Sequence, residues 1–183
     1  MNSTNLANIK IPLPPKKIQE QIVKECEAID KEYDEASKVM EFTKKEIEEK
    51  IEETSKNNYT HKRLMDIAFI NPSKTELKKV DLNTSVSFVE MSSVSEEGII
   101  AYKEDRLLKN LKKGSYTYFA EHDLIFAKIT PCMENGKCAI AEGLTNNIGM
   151  GSSEFHVFRP KNDFVINKFA FIFFNRAAVR REA

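Results

Sequence analysis

From Lys16 to Asn57 the chain runs for 42 residues without a glycine or a proline. Glu, Lys and Ala dominate this stretch, and all three carry a low helical cost. One long helix is therefore predicted. Pro12, Pro14 and Pro15 hold the preceding IKIPLPP extended and remove backbone donors, so Pro15 or Lys16 is the natural first helical position. Ser55, Asn57 and Asn58 lower the propensity at the other end. At 1.5 Å per residue the helix would span roughly 63 Å, far longer than a typical globular helix. Such an element needs something to lie against.

The spacing of apolar residues supplies that need. Ile22, Ile29, Ala36 and Thr43 recur with a heptad period, and Cys26, Tyr33, Met40 and Ile47 repeat the period four places later. Thr43, Tyr33 and Lys50 are poor knobs, while Ile18, Val23, Val39 and Ile51 widen the apolar face beyond a strict two-stranded seam. The expectation is a helical partner of similar length, parallel or antiparallel, from the same assembly or another chain. The alternative is a helix folded along its own domain.

After Tyr59 the texture changes to short apolar runs separated by polar turns. Val86–Met91, Tyr116–Ala120, Asp123–Ile129, Lys137–Ala141 and Glu154–Pro160 read as strands. Turns are expected at Glu96-Glu97-Gly98, Glu134-Asn135-Gly136 and Ile148-Gly149-Met150-Gly151. Helical pieces are expected at His61–Ala68 and Asn167–Ala183. The fold class is α+β: a long coiled-coil helix, then a β-rich domain with a curved sheet and flanking helices. Three parts follow: a Pro-rich tail over 1–15, the helix over 16–57 and the domain over 58–183.

The 183 residues leave no room for a large multidomain enzyme. Residues 1–57 carry 10 Lys/Arg against 13 Asp/Glu, and residues 58–183 carry 18 against 15, so the second part is mildly basic. This permits a nucleic-acid partner without demanding one. The absence of a long apolar run or a secretory layout at the start points to the cytoplasm, with no membrane partner. Cys26, Cys132 and Cys138 form no disulfide framework. A zinc site on Cys132, Cys138 and His156 would lack a fourth ligand. Gly-rich phosphate or adenosylmethionine turns are missing, and Asn71-Pro72-Ser73 lacks the second proline and the aromatic of an adenine-methylating motif, so it reads as a turn. His61, His122 and His156 are scattered. Neither catalytic nor metal-binding residues are assigned.

Three stretches nevertheless carry a resemblance. NIKIPLPPKKIQEQIV (Asn8–Val23) resembles the junction of type I restriction-modification specificity subunits, where a target-recognition domain gives way to a conserved spacer helix. HDLIFAKITPCMENGKCAI (His122–Ile140) is similar to the strand and Gly-Lys hairpin of such a domain, and GSSEFHVFRP (Gly151–Pro160) to its Gly-Ser-Thr-Glu-Phe signature. The resemblance implies a non-catalytic module that binds duplex DNA. It also implies an adenine methyltransferase subunit and an ATP-dependent restriction subunit as partners, which would hold any cofactors. A second spacer helix, supplied in one version by a second copy of the chain, would lie along Ile22, Cys26, Ile29, Tyr33, Ala36, Met40, Thr43 and Ile47.

A recognition domain must present cationic and hydrogen-bonding groups from loops, so that phosphate contacts set register and base-edge contacts select sequence. Lys128, Thr130, Asn135 and Lys137 flank one hairpin, Ser152 and Ser153 precede the last strand, and Lys109, Lys112, Lys113 and Tyr116 form another polar cluster. For each of these an ordinary solvated turn is the competing explanation. Glu154 and Arg159 are expected to pair structurally. The family has two recognition domains and two spacers, so this sequence resembles the end of one domain followed by most of the next: a gene fragment, a split subunit or a trimmed chain. Two rival functions stay open: a coiled-coil scaffold without DNA binding, and the recognition region of a fused methyltransferase-nuclease.

Overall fold

The computed structural model describes residues 12–57, 59–161, 164–176 and 179–180. It divides into two compact units, Met1–Tyr59 and Thr60–Ala183. Residues 1–11 of the proline-rich tail, and 177–178 and 181–183 of the expected last helix, lie outside the described residues.

Among its described residues the first unit has one helix, α1 (Lys16–Ser55). Pro15 is its N-cap, with φ −52° and ψ 146°, so the proline ends the extended entry as its ring geometry requires. No side chain caps the first turn, but Gln19 Nε2 reaches back to donate to Pro14 O at 2.6 Å. Thr43 and Thr54 return their hydroxyls to Val39 O and Lys50 O, which satisfies two polar side chains inside the helix. Ile22, Cys26, Ile29, Tyr33, Ala36, Met40, Thr43 and Ile47 are all exposed, Ile29 by 65% and Tyr33 by 73%.

The second unit begins with a short helix, α2 (Leu64–Ile67), which runs directly into β1 (Ala68–Ile70). The strands β2 (Ser85–Val89), β3 (Glu104–Leu107), β4 (Thr117–Ala120), β5 (Leu124–Ala127), β6 (Cys138–Ile140), β7 (Ile148–Gly151) and β8 (Phe155–Pro160) follow, with α3 (Leu108–Leu111) after β3 and α4 (Asn167–Phe174) after β8. The α+β class holds, and the strands form two sheets. One has the order β1-β8-β5-β6 and is antiparallel throughout. The other has the order β3-β2-β7-β4, and its β2–β7 pair is parallel.

Alternation along the strands sorts side chains into three apolar layers. Val89 and Phe119 from one sheet meet Ile125, Ala139, Phe155 and Val157 from the other, forming the core between the sheets. The opposite face of the β2 sheet, through Val86, Phe88, Tyr118 and Met150, is covered by Leu77, Leu108 and Leu111. The opposite face of the β5 sheet, through Leu124, Cys138 and Phe158, is covered by Ala170, Phe171 and Phe174. Strand β5 is therefore clothed on both faces, which explains its unbroken apolar run. Part of the Phe-rich segment is covered in this way, while Phe164 and Phe169 remain exposed.

Two expectations are corrected, and one strand is added. Ile148–Gly151 is not a turn but β7, wedged between β2 and β4. Its Gly149 is required for close approach, because a Cβ there would lie within the Phe119 ring. The helix expected over His61–Ala68 is only Leu64–Ile67, since Ala68 is drawn into pairing with Pro160. The charged EDRL segment, which carries no apolar alternation, is the edge strand β3. Opposite it lies Ser85–Phe88 of β2.

Candidate nucleic-acid interface

Register determines which loops meet. Val89 of β2 and Thr117 of β4 both face Gly151 of β7, so the β7–β8 turn, the end of β2 and the start of β4 share one end of the sheet. Ser152 N donates to Val89 O at 3.3 Å. Lys128, just past β5, donates its backbone N–H to Glu154 O at 2.9 Å, and Lys137 Nζ reaches Met91 O at 3.3 Å. Thr130 and Asn135 belong to the loop between β5 and β6, where Met133 N bonds Ile129 O at 3.0 Å and Asn135 N bonds Pro131 O at 2.9 Å. Gly136 closes that loop at φ 79°, a conformation that favours glycine. Lys128, Thr130, Asn135, Lys137, Ser152 and Ser153 are thus brought to one place from two separate loops.

The gathered groups are not all free. Ser152 Oγ accepts from Glu154 N at 3.2 Å, Ser153 Oγ donates to Glu154 Oε1 at 3.4 Å, and Thr130 Oγ1 donates to Glu134 Oε1 at 3.5 Å. Two carboxylates therefore stand among the lysines. The surface is thus of mixed sign, with the cations of Lys128 and Lys137 set beside hydrogen-bond acceptors.

The other sequence cluster is split. Lys109 N donates to Leu82 O and its Nζ to Asn83 Oδ1, at the end of the sheet where Ser85 pairs with Leu107. Lys112 Nζ is engaged by Leu77 O at 3.2 Å, and Lys113 is exposed beside it. Tyr116 instead lies next to the Gly151 end, its ring edge-on to Phe88 with centroids 5.0 Å apart.

Arg159 does not pair with Glu154. Glu154 lies in the turn that Phe155 N closes on Ser152 O, whereas Arg159 is next to the last residue of β8. The true partner is Asp123, 1% exposed, whose Oδ1 and Oδ2 accept from Arg159 Nε and Nη2 at 2.7 and 2.8 Å. Asp123 Oδ2 also accepts from Ala120 N at 2.7 Å, fixing the β4–β5 turn. Arg159 Nη1 donates to Glu76 Oε2 at 2.7 Å, and Tyr118 OH donates to the same oxygen at 3.2 Å. The Asp123 hydrogen bonds hold the guanidinium charged and push its pKa further up. Asp123 and Arg159 sit in two of the three stretches that carry the resemblance, one in each, and their pairing makes both structural at these positions.

His156 is likewise structural. Asn71, in the left-handed region at φ 49°, accepts from Val157 N at 2.8 Å through Oδ1, and its Nδ2 lies 3.2 Å from His156 Nδ1. This is the turn expected at Asn71-Pro72-Ser73. Cys138 is buried and its thiol is pushed up to about 12 by desolvation, so it is inert near neutrality. Among the described residues no three His, Cys, Asp or Glu side chains group as metal ligands, and no helix is long and apolar enough to cross a membrane.

Over part of its length the chain is similar to specificity subunits of type I restriction enzymes. Over 112 residues it is 41% identical to the EcoAI specificity subunit of Escherichia coli, a match that takes in 61% of this chain and 18% of that protein. Over 98 residues it is 41% identical to the EcoEI specificity subunit of the same organism, taking in 53% of this chain and 16% of that one. The chain thus spans less than a fifth of the length of the curated relatives it matches. No family model matches it. Among solved structures it is similar to a chain from a study of complex assembly and conformational transition in the type I restriction-modification system. That match has 20% identity and a TM-score of 0.48, covering 62% of this chain and 28% of the other. The HsdS subunit of Thermoanaerobacter tengcongensis matches at 20% identity and a TM-score of 0.46, covering 60% and 27%.

Proposed function

We propose that the chain is a DNA sequence-recognition module of a type I restriction-modification system, acting in the cytoplasm and without catalysis of its own. Residues 58–183 contact duplex DNA, and the helix over 16–57 docks on a second spacer helix. An adenine methyltransferase subunit and an ATP-dependent restriction subunit supply the chemistry and its cofactors. The observation that carries this reading is the 41% identity to specificity subunits over 112 residues. It is supported by the convergence of Lys128, Thr130, Asn135, Lys137, Ser152 and Ser153 at one end of the sheets. Lys128 and Lys137 hold phosphates, and the hydroxyl, amide and carboxylate groups among them meet base edges. Lys109, Lys113 and Tyr116 extend the contact, while Lys112 acts through the backbone it braces.

The test is the salt dependence of duplex binding by the chain co-purified with its methyltransferase subunit. Affinity falls steeply as salt rises, and Lys128→Ala lowers the slope by about one. A second reading, a helical scaffold that binds no DNA, draws on the exposed seam of α1 and on the hydroxyls already occupied by Glu134 and Glu154. Binding that does not respond to salt, or no binding at all, selects that reading instead.

A further inference from the structure

One arginine outside every sequence-derived cluster stands on the edge strand and reaches the ring that Tyr116 braces. On β3, Arg106 stands opposite Val86 and Glu104 opposite Phe88, so both point to the face where Phe88 lies. The Arg106 guanidinium carbon sits 3.9 Å from the centroid of the Phe88 ring. The ring is braced in turn by the edge of Tyr116, at 5.0 Å and 82°. Tyr116 immediately precedes Thr117, which pairs with Gly151, the residue before Ser152. Arg106, Phe88 and Tyr116 therefore form one stacked group whose Tyr116 end adjoins the strand pair that leads into Ser152.

The hydrogen bonding of Arg106 is lopsided. Nε and Nη2 both donate to Glu104 Oε2, at 3.0 and 2.5 Å, so the carboxylate occupies the side edge of the guanidinium. The end edge, formed by Nη1 and the outer hydrogen of Nη2, has no partner among the described residues, and the side chain is 31% exposed. A fork that is stacked on one plane, gripped on one edge and open on the other has little rotamer freedom left to lose. Its open edge presents two parallel N–H groups, the pattern that fits guanine O6 and N7 in the major groove. An arginine that only neutralised phosphate would need neither the aromatic platform nor the carboxylate guide.

We propose that Arg106 is a guanine-reading side chain of the interface, stacked on Phe88 and aimed by Glu104, which is a positioning residue. The proposal rests on the DNA-recognition reading above and adds to it one base and one residue. It accounts for a carboxylate beside a DNA-facing cation: Glu104 orients the fork rather than cancelling its function.

The experiment uses the complex of the full chain with its methyltransferase subunit. Its target is first mapped by adenine methylation of a random duplex pool, and the probes are that target and every single base-pair substitution of it. The expected result for Arg106→Ala is a loss of about 5- to 150-fold in discrimination at one G·C pair, with discrimination elsewhere unchanged. Arg106→Lys keeps the charge and the fold but not the fork, so it fails to restore that discrimination. It also decides the matter should the alanine variant not fold. Glu104→Gln weakens discrimination at the same pair only. A loss spread evenly over all sequences, with the salt slope reduced by about one, makes Arg106 a phosphate contact and overturns the proposal. Discrimination at every pair retained by Arg106→Lys overturns it as well. A wild-type complex that binds all duplexes alike removes the DNA-recognition reading itself, a result distinct from failure at Arg106 alone.

Discussion

The helix α1 and the strand-rich unit treat their apolar residues in opposite ways. In the helix, Ile22, Ile29, Met40 and Ile47 lie along one stripe and are exposed. In the strand-rich unit, Val86, Phe119, Ile125 and Val157 are sealed between or beneath two sheets. The second unit also encloses an ionic pair, Asp123 with Arg159, whereas the ion pairs of the helix, such as Lys31–Glu35 and Lys50–Glu53, are solvated. The contrast separates an element that leaves its apolar stripe exposed from a domain that buries its own. Surface pairs on a helix add little, while a buried pair is costly to break by halves.

Four experiments break or sharpen that contrast. The largest effect is expected from Ile29→Asp with Ile47→Asp, which places charge on the stripe proposed for helical contact. Association should weaken by on the order of 5 kcal/mol, read as loss of the heavier species in sedimentation, while the thermal transition of the strand-rich unit stays put. An unchanged mass would mean that the stripe has no partner. Next, Asp123→Ala or Arg159→Met should each cost about 3–5 kcal/mol in urea unfolding, because either leaves a charge without its counterpart. The double variant should cost less than the two together, and full additivity would show that the pair is not coupled.

A smaller effect, about 1–3 kcal/mol, is expected for Gly149→Ala, whose methyl would overlap the Phe119 ring. Thermal melting that matches wild type would show that the ring can move aside. The smallest is a pH effect. Burial, followed by the charge of Lys128, holds the His156 imidazole below its ordinary 6.5. The unfolded chain then binds more protons than the folded one as the medium turns acidic, so the contribution is complete above pH 6.5 and lost as pH falls through the lower folded value. His156→Gln should flatten stability between about pH 7 and 5, and an unaltered slope would assign the acid response to other groups.

Much of the architecture was legible along the chain because it depends on neighbours a few positions away. Pro15 beginning α1 and the strands at Val86, Tyr116, Leu124, Cys138 and Phe155 all follow from local periodicity and punctuation. The failures share a cause. Ile148-Gly149-Met150-Gly151 looks like a turn by composition, yet its glycines serve a strand that must pass close to Phe119 and Val89. Glu104–Leu107 carries no apolar alternation, so nothing in it announces a strand or singles out Arg106. The Lys109–Tyr116 group looked like one cluster because it is short in sequence, but α3 carries its two ends to opposite ends of a sheet.

What the sequence determined by itself is the long uninterrupted helix with its heptad stripe, since hydrogen bonds and side-chain spacing within a helix join residues three and four apart. What only the tertiary structure decided is which distant groups meet: Arg159 with Asp123 rather than Glu154, Asn71 with His156, and Lys128 and Lys137 with the serines before β8. Those meetings depend on strand order and register, which couple residues tens of positions apart and leave no local periodic signal.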